Sequence, residues 1–192
     1  MQPISIRRRL TLGIVSCALL AATLAGPAAA SDTVSLAITG SGLTASVANL
    51  TLTSVAYQNA AHSVSGSMVL TADDSTGSGA GWNVTIQSSA FNWVGTANGG
   101  ADIPAANFAI SSAAAPTLIA GQVVSATAAT GPQVPTVSPV GSLDTARKTL
   151  QATAAYGAGT YSQALGVTLT IPAQSRVGVY TGTLTTTITS AP

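Results

Sequence analysis

Apolar and polar positions alternate with a period of two along most of this chain, and Gly, Pro and Asn interrupt the alternation at short intervals. That period belongs to half-buried β-strands. It is clearest in Met68–Ile86, which reads as strand, loop, strand. Met68–Ala72 is apolar and threonine-bearing, and Asp73–Gly81 is an acidic turn carrying Gly77, Gly79 and Gly81. Trp82, Val84 and Ile86 then face one way, with Asn83 and Thr85 on the other side. An indole placed directly after this glycine run requires a core, a partner, or both.

The same texture recurs at Thr33–Thr39, Leu43–Val47, Leu50–Tyr57 and Val64–Thr71. It continues at Thr117–Ala120, Gln122–Ala128, Val167–Ile171 and Val177–Ile188. Phe91 and Trp93 share one face of Ala90–Val94, and Phe108–Ile110 follows Ile103-Pro104-Ala105-Ala106. Pro132, Pro135 and Pro139 make 131–142 an extended loop, because proline cannot donate to a sheet ladder. Asp144–Leu150 is the one helical candidate, of one or two turns. Alanine is abundant but scattered among Ser, Thr and Gly, where it fills small spaces rather than building helices. No βαβ rhythm and no solenoid period is present. The expected fold class is all-β, an antiparallel β-sandwich with at most one short helix, a closed barrel being the other all-β arrangement the pattern allows.

The first thirty residues depart from this pattern. Arg7, Arg8 and Arg9 precede an apolar run, Leu10–Leu24, and Ala28-Ala29-Ala30 offers the small residues a signal peptidase requires. The expected organisation is a secretory signal peptide at 1–30 and a single domain at 31–192, with no membrane span after cleavage. Arg-Arg-x-Leu also admits the twin-arginine route, and Cys17 a lipidated cysteine. Cleavage would change the charge. The whole chain carries six basic and five acidic residues, a formal net charge of +1. Without Arg7–Arg9, three basic residues face five aspartates, a net charge of −2. No basic patch remains to neutralise phosphates along a nucleic acid. The single cysteine, Cys17, leaves with the leader, so the remaining 162 residues must be held by a hydrophobic core rather than by disulfides.

Catalytic chemistry is sparse. His62, the one histidine, lies in a polar loop, and no nucleophile-elbow motif accompanies it. Asp73 and Asp74 are hard oxygen donors and the weak candidates for a calcium site, without the spacing of a known calcium loop. The plainer expectation is a turn in which the aspartates bond the local backbone. As neighbours on a strand end they point apart and cannot flank one glycosidic bond. Neither a cofactor nor an enzymatic activity is implied. Trp82, Trp93, Tyr156 and Tyr161 are the aromatics suited to stacking on sugar faces, with core packing the alternative for both tryptophans.

The order of motifs carries a resemblance. Asp73–Ile86 resembles the first signature of the WxL surface domain, a module of Gram-positive cell envelopes. Ile103-Pro104-Ala105 with Phe108-Ala109-Ile110, Gly157–Tyr161, Leu169–Ala173 and Gly178–Leu184 resemble its later segments, so the similarity covers about Ser67–Pro192. The first Trp-x-Leu stands as Trp82-Asn83-Val84, and the second falls at Thr186-Thr187-Ile188, where tryptophan is absent. The resemblance implies a secreted, non-catalytic domain at the cell surface. It would associate non-covalently with peptidoglycan or an associated polysaccharide, with other surface proteins as further partners. The residues expected at the wall contact are Trp82, Asn83, Trp93 and Tyr180. The alternative is a structural subunit of a surface layer or fibre, pairing through the edge of Val177–Thr189.

Overall fold

The computed structural model describes residues 35–48, 50–124, 131–137 and 139–190. The leader expected at 1–30 lies outside them, as do Thr33, Val34 and 125–128 of the expected strands. The chain divides after Ala37, and every strand belongs to the second unit.

Among the described residues the structure is antiparallel β throughout, with one 3-10 turn at Ala105–Asn107. Five strands lead up to that turn or follow it: β1 (Leu43–Val47), β2 (His62–Asp74), β3 (Trp82–Ser88), β4 (Asn92–Val94) and β5 (Phe108–Ala113). Then come β6 (Thr117–Gly121), β7 (Gly141–Ser142), β8 (Arg147–Ala152), β9 (Gly159–Ile171), β10 (Val179–Thr181) and β11 (Leu184–Ser190). One sheet has the order β1-β2-β9-β5-β7, with β6 also on β9, and a second has the order β11-β3-β8. The short ribbon β10-β4 stands apart. The two main sheets pack face to face as a sandwich.

The long β2-β9 ladder runs unbroken from His62↔Ile171 to Asp74↔Gly159. Its period-two pattern sends Met68, Leu70 and Ala72 from β2, and Tyr161, Leu165 and Val167 from β9, into the core. Trp82, Val84 and Ile86 of β3 meet them from the other sheet, each without exposed surface. Outward positions of the long ladder carry hydroxyls instead. Ser63 and Ser65 lie 3.2 and 3.4 Å from Thr170 and Thr168.

β5 and β6 lie end to end along the same side of β9, broken where Pro116 removes a donor. Gln163, 1% exposed, fills that break. Its Nε2 donates to the Ala114 carbonyl at 3.0 Å and to Thr149 of β8 at 2.9 Å, tying the two sheets together.

Three expectations are corrected. Asp144–Leu150 is no helix: Leu143–Thr145 turns and bends, and β8 then pairs with β3. Leu50–Tyr57 has the texture of a strand but no strand partner. Leu50 and Leu52 instead pack at Gly66 of β2, where a Cβ would stand 2.8 Å from Leu52 Cδ2. The described parts of Thr33–Thr39 and Gln122–Ala128, residues 35–39 and 122–124, form no strand.

Candidate functional site

The residues expected at a wall contact are divided between the two ends of the sandwich. Trp82 and Asn83 begin β3, while Trp93 follows its far end by five residues. Seven strand residues separate those ends by roughly 20 Å.

Trp82 has no exposed surface and is a core residue. Its Nε1 donates to the Gly157 carbonyl at 2.9 Å, and its ring lies 6.1 Å from that of Tyr161. The Tyr161 hydroxyl, also buried, has one proton to donate and lies 2.7 Å from the Gln122 carbonyl and 3.1 Å from the Ala158 carbonyl. Burial pushes the phenol's pKa above its ordinary value, and the nearby Asp74 carboxylate adds to the shift. Asn83 lies half-exposed on the outer face of β3, between Thr189 and Gln151.

The aspartates of the glycine loop act on the loop itself. Asp74 Oδ1 accepts from the Thr76 amide at 3.0 Å and the Thr76 hydroxyl at 2.6 Å. Asp73 accepts from Ser75 Oγ at 2.6 Å and Thr160 Oγ1 at 2.5 Å. Gly77, Gly79 and Gly81 all have positive φ, as the hairpin reading requires. Among the described residues no three ligating side chains gather as for a metal.

At the other end, Trp93 and Tyr180 are cross-strand neighbours on β4 and β10, both half-buried. Trp93 is held tightly by backbone. A Cβ at Gly100 or Gly178 would stand 2.3 Å from indole atoms, so only glycine admits the ring. The indole Nε1 is buried without a hydrogen-bond partner. The Trp93 amide donates to Asp102 at 2.7 Å, and Tyr180 OH donates to the Arg176 carbonyl at 2.8 Å.

Beside this pair lies a cleft of about 820 Å³. One wall is the unpaired segment from Leu50 to Gln58; the other is the chain from Ser175 through β10 into β11. Its walls are mainly apolar, and Phe91 packs edge-on against Phe108 at its base, with centroids 5.2 Å apart. Tyr57, 48% exposed, stands in the wall with its hydroxyl on Asn59. His62 also lines the cleft. Its Nδ1 lies 3.4 Å from the Ala60 carbonyl, with no serine or aspartate bonded to the ring, and its Nε2 is buried with no partner. The ring thus lacks the bonds of a hydrolytic triad, and its Nε2 is enclosed rather than presented to the cleft.

Sequence pattern singled out Trp93 and Tyr180 but not Tyr57 or the cleft. The signal for Tyr57 was there in part: Leu50-Thr51-Leu52 alternates into Val55-Ala56-Tyr57, an apolar edge that its own alternation cannot bury completely.

The sandwich thus carries an aromatic-rimmed cleft beside the β10-β4 ribbon. A family model described as WxL domain surface cell wall-binding matches residues 34–192. The chain therefore belongs to the WxL family of surface, cell-wall-binding domains. No curated protein and no solved structure matches the chain. The two Trp-x-Leu positions prove to be strand partners: Ile188 pairs with Val84 and Thr186 with Ile86.

Proposed function

We propose that this protein is a secreted, non-catalytic domain that attaches to peptidoglycan or its associated polysaccharide through the cleft between residues 50–58 and 175–186. The observation that carries the reading is the cleft itself, apolar in the main and bordered by the half-exposed Tyr57. Sugar rings and acetamido methyls offer apolar faces, while their carbonyls and hydroxyls offer hydrogen bonds to the Thr51, Thr53, Ser54 and Tyr57 hydroxyls of the lining. Tyr57 is placed to stack on a sugar, and Trp93 with Tyr180 stiffens the adjoining wall. Family membership supports the wall as the target. Residues 1–30 supply export in this reading, and 31–192 the domain. Asn83 and Trp82 stand at the opposite end, so Trp82 contributes by holding the fold.

Sedimentation with purified peptidoglycan tests the proposal. Retention well above that of an unrelated secreted β-domain, at several salt concentrations, is expected; equal retention would contradict it.

A second reading, assembly into a surface layer, is favoured by one observation. Val94 and Val179 are cross-strand partners yet 68% and 65% exposed, on a two-stranded ribbon with open edges. Light scattering across protein concentrations separates the readings. A mass that rises with concentration, and is restored to monomer by Val179→Asp, supports assembly; a constant monomer mass opposes it.

A further inference from the structure

We infer that a pocket at the open edge of β8 binds an anionic group, a phosphate or carboxylate. This site lies across the second sheet from the cleft, because β8 and β11 flank β3 on opposite sides. Its existence does not depend on what the cleft holds.

The pocket, of about 470 Å³, forms where the chain leaves β8. Gln133 and Gln151 exchange backbone hydrogen bonds of 2.9 and 3.0 Å. The bridge stops there, and Pro135, which has no N–H, takes the chain away from the strand. The edge at Arg147 and Lys148 is left uncovered, with Pro135, Thr136 and Val137 forming the facing wall.

Charge makes this pocket unlike the rest of the surface. Of the six basic residues, three lie within the first nine positions, and two of the other three, Arg147 and Lys148, line this one pocket. No acidic residue lines it. The Lys148 side chain has neither a hydrogen bond nor an ion pair among the described residues. Arg147 is fixed from behind. Its Nε donates to the Ser142 carbonyl at 2.8 Å, and its guanidinium packs on Gly141, where a Cβ would stand 3.1 Å from Cζ. Anchoring through Nε leaves the terminal guanidinium N–H groups for an oxyanion at little further entropic cost. The hydroxyl of Thr136 and the amide of Gln151 complete a donor set.

Isotope-labelled protein titrated with sodium phosphate and, separately, sodium acetate, with ionic strength held constant by sodium chloride, tests the inference. Backbone amides of Thr136, Arg147, Lys148 and Gln151 are expected to shift together and saturate. Stronger saturation by phosphate points to phosphodiester polymers as the source of the group, and by acetate to carboxylated ones. Arg147→Gln should abolish saturation. Lys148→Gln, at a half-exposed side chain with no partner to lose, should weaken binding about tenfold, as expected for one charge-assisted hydrogen bond. That variant decides the matter if Arg147→Gln does not fold. Shifts that grow linearly or scatter over the surface, an adventitious ion only, would overturn the inference, as would unchanged affinity in Lys148→Gln.

Discussion

Trp82 shows how a side chain's surroundings decide its role. Alternation along Trp82–Ile86 correctly places the indole on the inward face, and the structure leaves it no exposed surface. What local pattern could not reveal is the acceptor for its N–H, the Gly157 carbonyl, 75 residues away. Gly157 has φ +85°, and a Cβ there would stand 2.7 Å from the indole nitrogen. Trp82→Ala should therefore cost about 4 kcal/mol in urea unfolding, the scale for emptying a buried aromatic site. Gly157→Ala should be destabilising as well, through backbone strain and collision with the indole. Tyr161 gives a pH signature. Its pKa is raised in the folded state, so between the unfolded and folded values the native protein holds a proton that the unfolded chain has lost. Stability is then independent of this group below the ordinary tyrosine value of 10.0 and falls as pH rises beyond it. Denaturation at a series of alkaline pH values should show the decline, and Tyr161→Phe should remove its share.

Strands were legible where their alternation was long. β2, β3, β5 and β11 lie within or across the segments that the pattern marked, because burial of one sheet face imposes period two on the sequence itself. Pairing partners are not written in that period, and this explains two of the corrected expectations. Asp144–Leu150 has a helical look, but weak local propensity loses to a ladder in which Leu150 meets Val84 and Lys148 meets Thr85, with an extra residue bulged between them. Leu50–Tyr57 alternates like a strand, yet β1 already pairs with β2, so the segment packs by its leucines at Gly66 and becomes a cleft wall instead. Gln163 was invisible to pattern reasoning, since a polar residue at an inward position becomes intelligible only once the β5-β6 break is seen. Gln163→Ala would strip the buried Thr149 carbonyl and the part-buried Ala114 carbonyl of their donor. The expected loss is roughly 3 kcal/mol, read from chemical denaturation.

At the scale of the described residues the molecule is a charge-poor sandwich stabilised by packing, with its cleft at one end. This WxL domain has its signature tryptophan in the core, so that residue marks the fold. Motif reading pointed to the cleft end through Trp93 and Tyr180, while the cleft itself is made by segments far apart in sequence, 50–58 and 175–186, which no local window could bring together. The most direct test of the cleft as the wall contact is a binding isotherm on purified peptidoglycan for the wild type and for Tyr57→Ala/Val179→Asp, with thermal melts confirming that both are folded. Both substituted side chains are about half exposed or more, so the fold should be retained. The expected result is saturable wild-type binding, weakened at least about tenfold in the double variant, the loss of one stacking contact and the introduction of a charge into an apolar wall. Equal affinity in a folded double variant would contradict the assignment of the wall contact to the cleft.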